Sequence, residues 1–590
     1  MHKPDENTLF RRSPRIGEIL WTLITVLLIL AVTCFPFRMG GLYGYEPDIL
    51  YHLNRIEGVR DALMSGRYPA RIYPAFFDGQ GYGSPLFYPD LLLLIPAVLR
   101  LVGCSPLVAY KLTAALFSVL LALSCKYAFR LICGRWEPAL AGAALFSLSQ
   151  FVLADLIVRA GFSSYLSYVF LPLIAAGLFD HLFRDGRHTR LLGIALGGLL
   201  LTHTLNTLLA ILTCIFVFLL SLFTREGRSA VTDRAHWQKL GITALWTLLL
   251  TAWYWMPLLE QMTCGTDFVY RHPWANVGEF TQSWTDFFDL TGYFFNVAYV
   301  GVGIPILLFP AVRLFLGRPQ DAKSRFGDLS FFLGLALLAS MTDLLPWKLL
   351  SRTPLNQLQF TFRIYPFALL FLICGLIIFF DRLLPAEGTD GGASDRHVSP
   401  LPLMVTAIAV SCLFGIIQNR TATTNPEGFH AISKETLTEY NAMVGRGEWL
   451  PASYDQEAER VDTVRLTDDS AAPLPYERTA SVPGGTFVIP ADLSGGEFIV
   501  PQIWYKGYRA TLTTDDGARI RLAVREASNG QLAVSGDGLH SGIVRVQYRL
   551  TLCQALSLCL SAAALIGMLL IPRLSALLRR RSGSDPAQKT

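Results

Sequence analysis

Between Ile19 and Phe37 the chain carries no charged residue, and stretches of this kind recur to near its C-terminus. A bilayer core takes about 20 apolar residues per helix, because each backbone N–H and C=O must be satisfied inside the segment. Further candidates are Pro106–Leu131, Pro138–Ala154, Phe162–Phe179, Leu191–Leu222, Leu240–Leu259, Leu290–Val312, Leu329–Thr342, Phe362–Phe380, Pro400–Gln418 and Leu550–Pro572. With Leu191–Leu222 read as a tight pair, the expected count is about twelve spans. The first stretch follows Arg11, Arg12 and Arg15 and has no small-residue cleavage site after it, so it reads as an uncleaved span. Composition agrees, since 16% of the 590 residues are charged, against about 25% in soluble domains.

Loop charge sets an orientation. With the N-terminus in the cytoplasm, the clusters Lys126/Arg130/Arg135, Arg184/Arg187/Arg190, Arg225/Arg228/Arg234, Arg313/Arg318/Lys323/Arg325 and Arg579/Arg580/Arg581 all fall on the cytoplasmic side. Only the loop Asp381–Arg396 is not basic. Both termini are then cytoplasmic. Two long segments lie outside, Arg38–Ser105 and Asn419–Arg549. The second alternates apolar and polar residues in short runs separated by Gly-Gly, Asp-Asp-Gly and Ser-Asn-Gly turns, the pattern of a small antiparallel β-sandwich. The expected domains are 1–418, a bundle with its first outside loop at 38–105; 419–549, an outside β-domain; and 550–590, a last span with a basic tail. No CxxC pair occurs, and Cys104 and Cys264 both fall in outside loops. The net charge of +5 is modest, and no basic block interleaved with aromatics points to nucleic acid.

The first outside loop is unlike a connector. Pro47 suits the first position of a helix and Gly66 its stop. Ile49, Leu53, Ile56, Val59 and Leu63 share one stripe, and Asp48, His52 and Arg55 another. The spacing predicts an amphipathic helix on the membrane surface, its polar row turned outward or into a cavity.

An acid shortly after the first span, juxtamembrane helices, a bundle of many spans and an outside β-domain together resemble the GT-C glycosyltransferase superfamily. The wording Asp48…Tyr51-His-Leu-Asn-Arg-Ile…Tyr68-Pro…Arg71-Ile-Tyr-Pro…Pro85-Leu-Phe-Tyr resembles the YfhO-like bacterial membrane proteins within it. Leu201-Thr-His-Thr-Leu-Asn206, Leu358-Gln-Phe-Thr-Phe-Arg363 and Trp504-Tyr-Lys-Gly-Tyr508 match further stretches of that group. Some relatives carry a 6-pyruvoyl-tetrahydropterin-synthase-related label, which finds no support in histidines that are scattered and form no HxH pair. The expected fold is an α-helical polytopic, GT-C-like membrane protein with a C-terminal extracytoplasmic β-sandwich.

The resemblance implies inverting transfer of a sugar from a polyprenyl-phosphate donor to an envelope polymer, glycolipid or protein outside a bacterial plasma membrane. Such chemistry needs a carboxylate for the acceptor proton and cations for the departing phosphate. The family's first-loop acid maps onto Asp48, with Glu46 the alternative; both sit where a helix dipole favours the anion. His52 and Arg55 are candidate substrate contacts, and Arg363, Arg71 and Arg159 candidate phosphate contacts. A second acid, which many GT-C enzymes carry, has only Asp78, Asp267, Asp286 and Asp289 to come from, so a divalent cation stays an open cofactor. On the residues alone, the two acids fit equally a charged helix start, and His52 and Arg55 a solvated face. Arg159 and Arg363 fit side chains snorkelling to headgroups. The rival functions are a transporter or flippase of lipid-linked sugars, which inverted repeats would mark, and a non-catalytic scaffold.

Overall fold

The apolar stretches fold as helices in a computed structural model that describes residues 14–581 apart from 38–39, 272, 274, 288–312, 314–320, 385–399, 425, 441–446, 455–462, 468–471, 480–481, 491–495 and 536–539. Among the described residues, eight helices are long and apolar enough to cross a membrane, or nine if one bent pair counts as a span. Three segments account for the difference from the expected twelve. Leu191–Leu222 resolves into a short helix and one full span, separated by a turn at Leu201–His203. Leu329–Thr342 lies largely within a longer helix whose first turns carry Lys323, Arg325 and Asp328. Leu290–Val312 lies outside the described residues, as does Asp289.

The chain divides into two compact units. The first holds Met1–Tyr68, Asp90–Leu240 and Arg271–Arg446; the second holds Pro69–Pro89, Gly241–Tyr270 and Gly447–Thr590.

In the first unit, α1 (Pro14–Cys34) leads through strand β1 (Gly41–Tyr43) to α2 (Glu46–Met64). The unit continues with α3 (Leu94–Leu101), α4 (Pro106–Cys133), α5 (Trp136–Ser147), α6 (Gln150–Ile157), α7 (Phe162–Ser167), α8 (Leu171–Phe183), α9 (Arg190–Leu200), α10 (Thr204–Ser221) and α11 (Arg225–Thr232). After α12 (Arg234–Met262), which crosses the division, come α13 (Ala322–Ser340), α14 (Tyr365–Arg382) and α15 (Pro400–Thr424). The span containing α14 is wholly buried in protein, although α14 is as apolar as any lipid-facing helix. Gly327 and Gly334 of α13 let it approach closely: a Cβ at Gly334 would lie 2.5 Å from Leu372 and 3.0 Å from the Ala368 carbonyl. Small residues seat helices in this way where lipid offers no hydrophobic contrast. The outer α1 and α15, by contrast, leave most of their apolar surface uncovered, as a bilayer requires.

The segments assigned to one membrane side by charge meet in the structure. Glu18 pairs with Lys126 and Arg130, Arg325 with Glu226, and Arg184 donates to the Leu131 carbonyl. Asp381, at the start of the one loop that is not basic, pairs with Lys323 and lies 3.9 Å from Arg135, so its acidity answers neighbouring cations. Farther along, β1 pairs antiparallel with β2 (Phe429–Ala431), Leu42 opposite His430. This ladder fixes the entry to α2.

The second unit carries the β-sandwich as two antiparallel sheets of five strands. Its strands are β3 (Thr463–Leu466), β4 (Leu474–Pro475), β5 (Glu477–Arg478), β6 (Gly484–Ile489), β7 (Glu497–Ile503), β8 (Tyr508–Thr514), β9 (Arg519–Leu522), β10 (Val524–Glu526), β11 (Gln531–Ser535) and β12 (Gly542–Tyr548). The orders are β10-β11-β7-β3-β4 and β5-β6-β12-β8-β9. Alternation along β12 buries Val544, Val546 and Tyr548, and Phe487 meets Phe498 between the sheets at 5.3 Å. Tyr505 and Tyr508 are core residues. The loop Pro69–Pro89 folds into this unit: the Ile503 amide donates to the Gln80 carbonyl at 3.0 Å, and Tyr454 and Gln531 donate to its side-chain oxygen. The last helix, α16 (Leu552–Arg581), joins α12 through Ser561, which accepts from the Trp253 amide at 3.0 Å. Cys104 and Cys264 are both free thiols.

Candidate functional site

The site grows from α2. Tyr45, at its N-cap, donates its amide to the Val158 carbonyl at 2.9 Å, which ties the helix start to the turn after α6. Gly44 permits that approach: it has φ +132°, and a Cβ there would lie 3.0 Å from the Ile157 carbonyl. The expected surface helix is instead enclosed by protein. His52, Asn54 and Arg55 are buried, Arg55 fully, along with Ile49, Leu53, Ile56 and Val59. His52 and Arg55 of the polar row are buried inside the unit, so the solvated-face reading fails for them; Arg55 donates to Ser163 at 3.1 Å, and the neighbouring Asn54 to the Leu437 carbonyl at 3.2 Å.

The turn after α6 supplies two more charges. Ala160 takes a left-handed conformation, and the Gly161 amide donates back to the Asp155 carbonyl at 2.8 Å. Gly161 is needed here, because a Cβ would stand 2.8 Å from an Asp155 carboxylate oxygen. Asp155 forms an ion pair with Arg159, one helical turn on, and accepts from the Tyr168 hydroxyl at 2.8 Å. Tyr168 accepts from Ser164 at 3.2 Å, and Asn206 donates to Ser167 at 2.8 Å. This polar chain locks Arg159, whose guanidinium also lies 5.0 Å from the centre of the Phe362 ring.

Arg363 enters from the turn Thr361–Ile364 that precedes α14 and donates to Gln359 at 3.0 Å. His203 caps α10, accepting from the Asn206 amide at 3.2 Å. The His52 imidazole is held well below the ordinary histidine range, first by burial and then by the charges of Arg55, His203 and Arg159. Burial, then Arg363, Arg159 and Arg55, do the same to His203. Three guanidinium groups thus act on one pair of neutral imidazoles. Among the described residues, His52 Nδ1, fully enclosed, has no hydrogen-bond partner. The Tyr110 hydroxyl lies within electrostatic reach of both Asp155 and Asp48, which brings the two acids to the same region. Asp48 is partly accessible.

These imidazoles give stability a pH dependence. Their folded-state affinity for protons is below the unfolded one, so the unfolded chain binds more protons as acid is added. The stabilisation is present above the ordinary histidine value of about 6.5 and is lost as pH falls below it, by up to about 1.4 kcal/mol per pH unit for each group. Thermal unfolding of detergent-solubilised protein at pH 7.5 and 5.5 should show the drop, and His52→Asn should shrink it.

Of the residues singled out in the sequence, the structure gathers Asp48, His52, Arg55, Arg159 and Arg363 in the first unit. Glu46 stands aside, with a carboxylate oxygen 3.7 Å from His430 and nearly half its side chain exposed. Arg71 belongs to the second unit, where it is buried and donates to the Trp253 carbonyl at 3.0 Å. Asp155, Tyr110, Tyr168, His203 and Asn206 were not foreseen as site residues. Asp155 had a signal: it is the only acid in an apolar run and stands four residues before an arginine. Among the described residues, no group of three or more His, Cys, Asp or Glu side chains is placed to hold a metal ion. Asp155 is already paired with the Arg159 cation, which does not suit a metal ligand.

The fold and the site define a multi-pass membrane protein that encloses a cluster of cations, one of them paired with Asp155, with Asp48 at the start of the same helix as Arg55. The chain belongs to the family of unknown function DUF6541, whose model matches residues 3–316, more than half of the chain. No curated protein matches it. Among solved structures it is similar to arabinofuranosyltransferase AftD from Mycobacteria, at 18% identity and a TM-score of 0.42 over 67% of this chain. It covers 27% of AftD, little more than a quarter of that protein's length. It is also similar to ArnT from Cupriavidus metallidurans bound to undecaprenyl phosphate, at 13% identity and a TM-score of 0.41, over 72% of this chain and 78% of ArnT.

Proposed function

We propose that this chain is an inverting membrane glycosyltransferase of the GT-C type, moving a sugar from a polyprenyl-phosphate donor to an envelope acceptor. The observation that carries the reading is the gathering of Arg55 and Arg159 at both His52 and His203, with Arg363 at His203 and Asp48 one helical turn before His52. Neutral imidazoles put the positive charge of this cluster on its guanidinium groups, the groups suited to meet an anion. Arg159 and Arg363 hold the donor phosphate, and the fully buried Arg55 adds its charge to the cluster. The acceptor hydroxyl oxygen attacks the anomeric carbon from the face opposite the phosphate. As the bond from that carbon to the phosphate oxygen breaks, its electron pair leaves with the phosphate, where the guanidinium charge stabilises it. Asp48 takes the hydroxyl proton. No step here uses a metal. The N- and C-termini face the cytoplasm of a bacterial plasma membrane, and the sandwich lies outside.

A transporter of lipid-linked sugars is the second reading, favoured by one observation: Asp155 and Arg159 form an ion pair inside the bundle, where transporters place functional charge. Both readings need a phosphate site, and only transfer needs Asp48. Binding of undecaprenyl phosphate to the full chain in nanodiscs tests the shared requirement. Arg159→Met and Arg363→Met should each weaken it by about 10- to 100-fold, the worth of a charge-assisted hydrogen bond. Wild-type affinity in both variants would sink the phosphate assignment.

A further inference from the structure

We propose that Trp449 and Tyr88, in the second unit, form a stacking platform for a sugar ring of a glycan acceptor; this rests on the transfer reading and names its acceptor class. The two rings are parallel within 18°, with centroids 5.4 Å apart. That separation exceeds face-to-face contact, so the rings are displaced sideways and present a stepped surface, and both side chains are partly accessible.

The backbone holds Trp449 there against its own preference. It has φ +64°, a left-handed conformation that a bulky residue rarely adopts. Buried groups fix it on each side: Tyr82 donates to the Glu448 carbonyl, Tyr505 donates to the Trp449 carbonyl at 3.0 Å, and the Val269 amide donates to the Leu450 carbonyl at 2.9 Å. Tyr82, Tyr505, Phe268 and Leu450 beneath are fully buried. A tryptophan seeking only burial would gain nothing from this arrangement, whereas a ring to be presented at a surface gains rigidity. The charge nearby selects among occupants. Glu448 precedes Trp449, and Asp267 is exposed on the segment whose Phe268 bridges Pro451. An aromatic face takes the C–H face of a sugar, and acidic side chains on the same two segments suit its hydroxyls.

The test uses the full chain in nanodiscs and, as probe, polysaccharide extracted with hot phenol from the envelope of the strain that carries the gene. Trp449→Ala should lower its affinity by about tenfold or more, while Trp449→Phe stays near wild type. Affinity for undecaprenyl phosphate should not change in either. Should Trp449→Ala fail to fold, Tyr88→Ala must show the same selective loss. Unchanged binding in the folded alanine variants, no binding by wild type, or binding that survives periodate oxidation of the sugars would each overturn the platform, and would leave the phosphate and Asp48 assignments to their own tests.

Discussion

Asp155→Ala is expected to cost about 3–5 kcal/mol of stability, because it leaves the Arg159 charge without its carboxylate in a nearly closed interior. The Asp155 side chain is fully buried and that of Arg159 is 14% exposed, so water replaces little of the lost partner. The Tyr168 hydroxyl loses its acceptor in the same step. Removing both charges, in Asp155→Ala/Arg159→Met, should be milder than Asp155→Ala alone, since no uncompensated charge remains. The check is a double-mutant cycle on the thermal midpoint of the purified protein. Purely additive losses would mean that the pair is not a coupled unit. On the proposed reading Asp155 is a positioning residue, because it holds Arg159, the group proposed to meet the phosphate. Donor binding should therefore fall in Asp155→Asn even where the protein remains folded.

Asp48→Asn should leave the fold nearly intact and slow transfer by about 10²- to 10⁴-fold, the usual worth of a general base. Asp48 is partly accessible at the start of α2, where a carboxylate's contact with the helix dipole is worth about 0.3–1 kcal/mol. Glu46, two residues earlier, is the internal control. It faces His430 from an exposed position, so Glu46→Gln should transfer at close to the wild-type rate. Incorporation of labelled sugar into envelope material by membranes bearing each variant separates the two acids. Equal loss in both would move the base assignment away from Asp48.

Much of the architecture is written in composition and period. Uncharged runs of bilayer length gave the spans, and alternation between turn signals gave the sandwich. The misses share a cause, namely burial of polar groups by partners distant in sequence. Arg55 looks like one more charge on a helix face until Ser163, over a hundred residues later, closes on it. The row Asp48, His52 and Arg55 was legible as a row, but its direction depends on α6, α7 and α10, which no local pattern reports. Arg159 and Arg363 stood out as boundary charges, and only tertiary packing makes both act on His203. Trp449 was silent, because left-handed backbone at a tryptophan has no sequence signature.

The most direct measurement is the glycan composition of the cell envelope, by mass spectrometry, in a deletion strain and in the same strain complemented with wild type or with Asp48→Asn. A sugar modification should vanish on deletion, return with wild type, and stay absent with Asp48→Asn expressed at wild-type level. Full restoration by Asp48→Asn, or an envelope unchanged by the deletion, would contradict glycosyl transfer by this site and bring transport or a scaffold role forward.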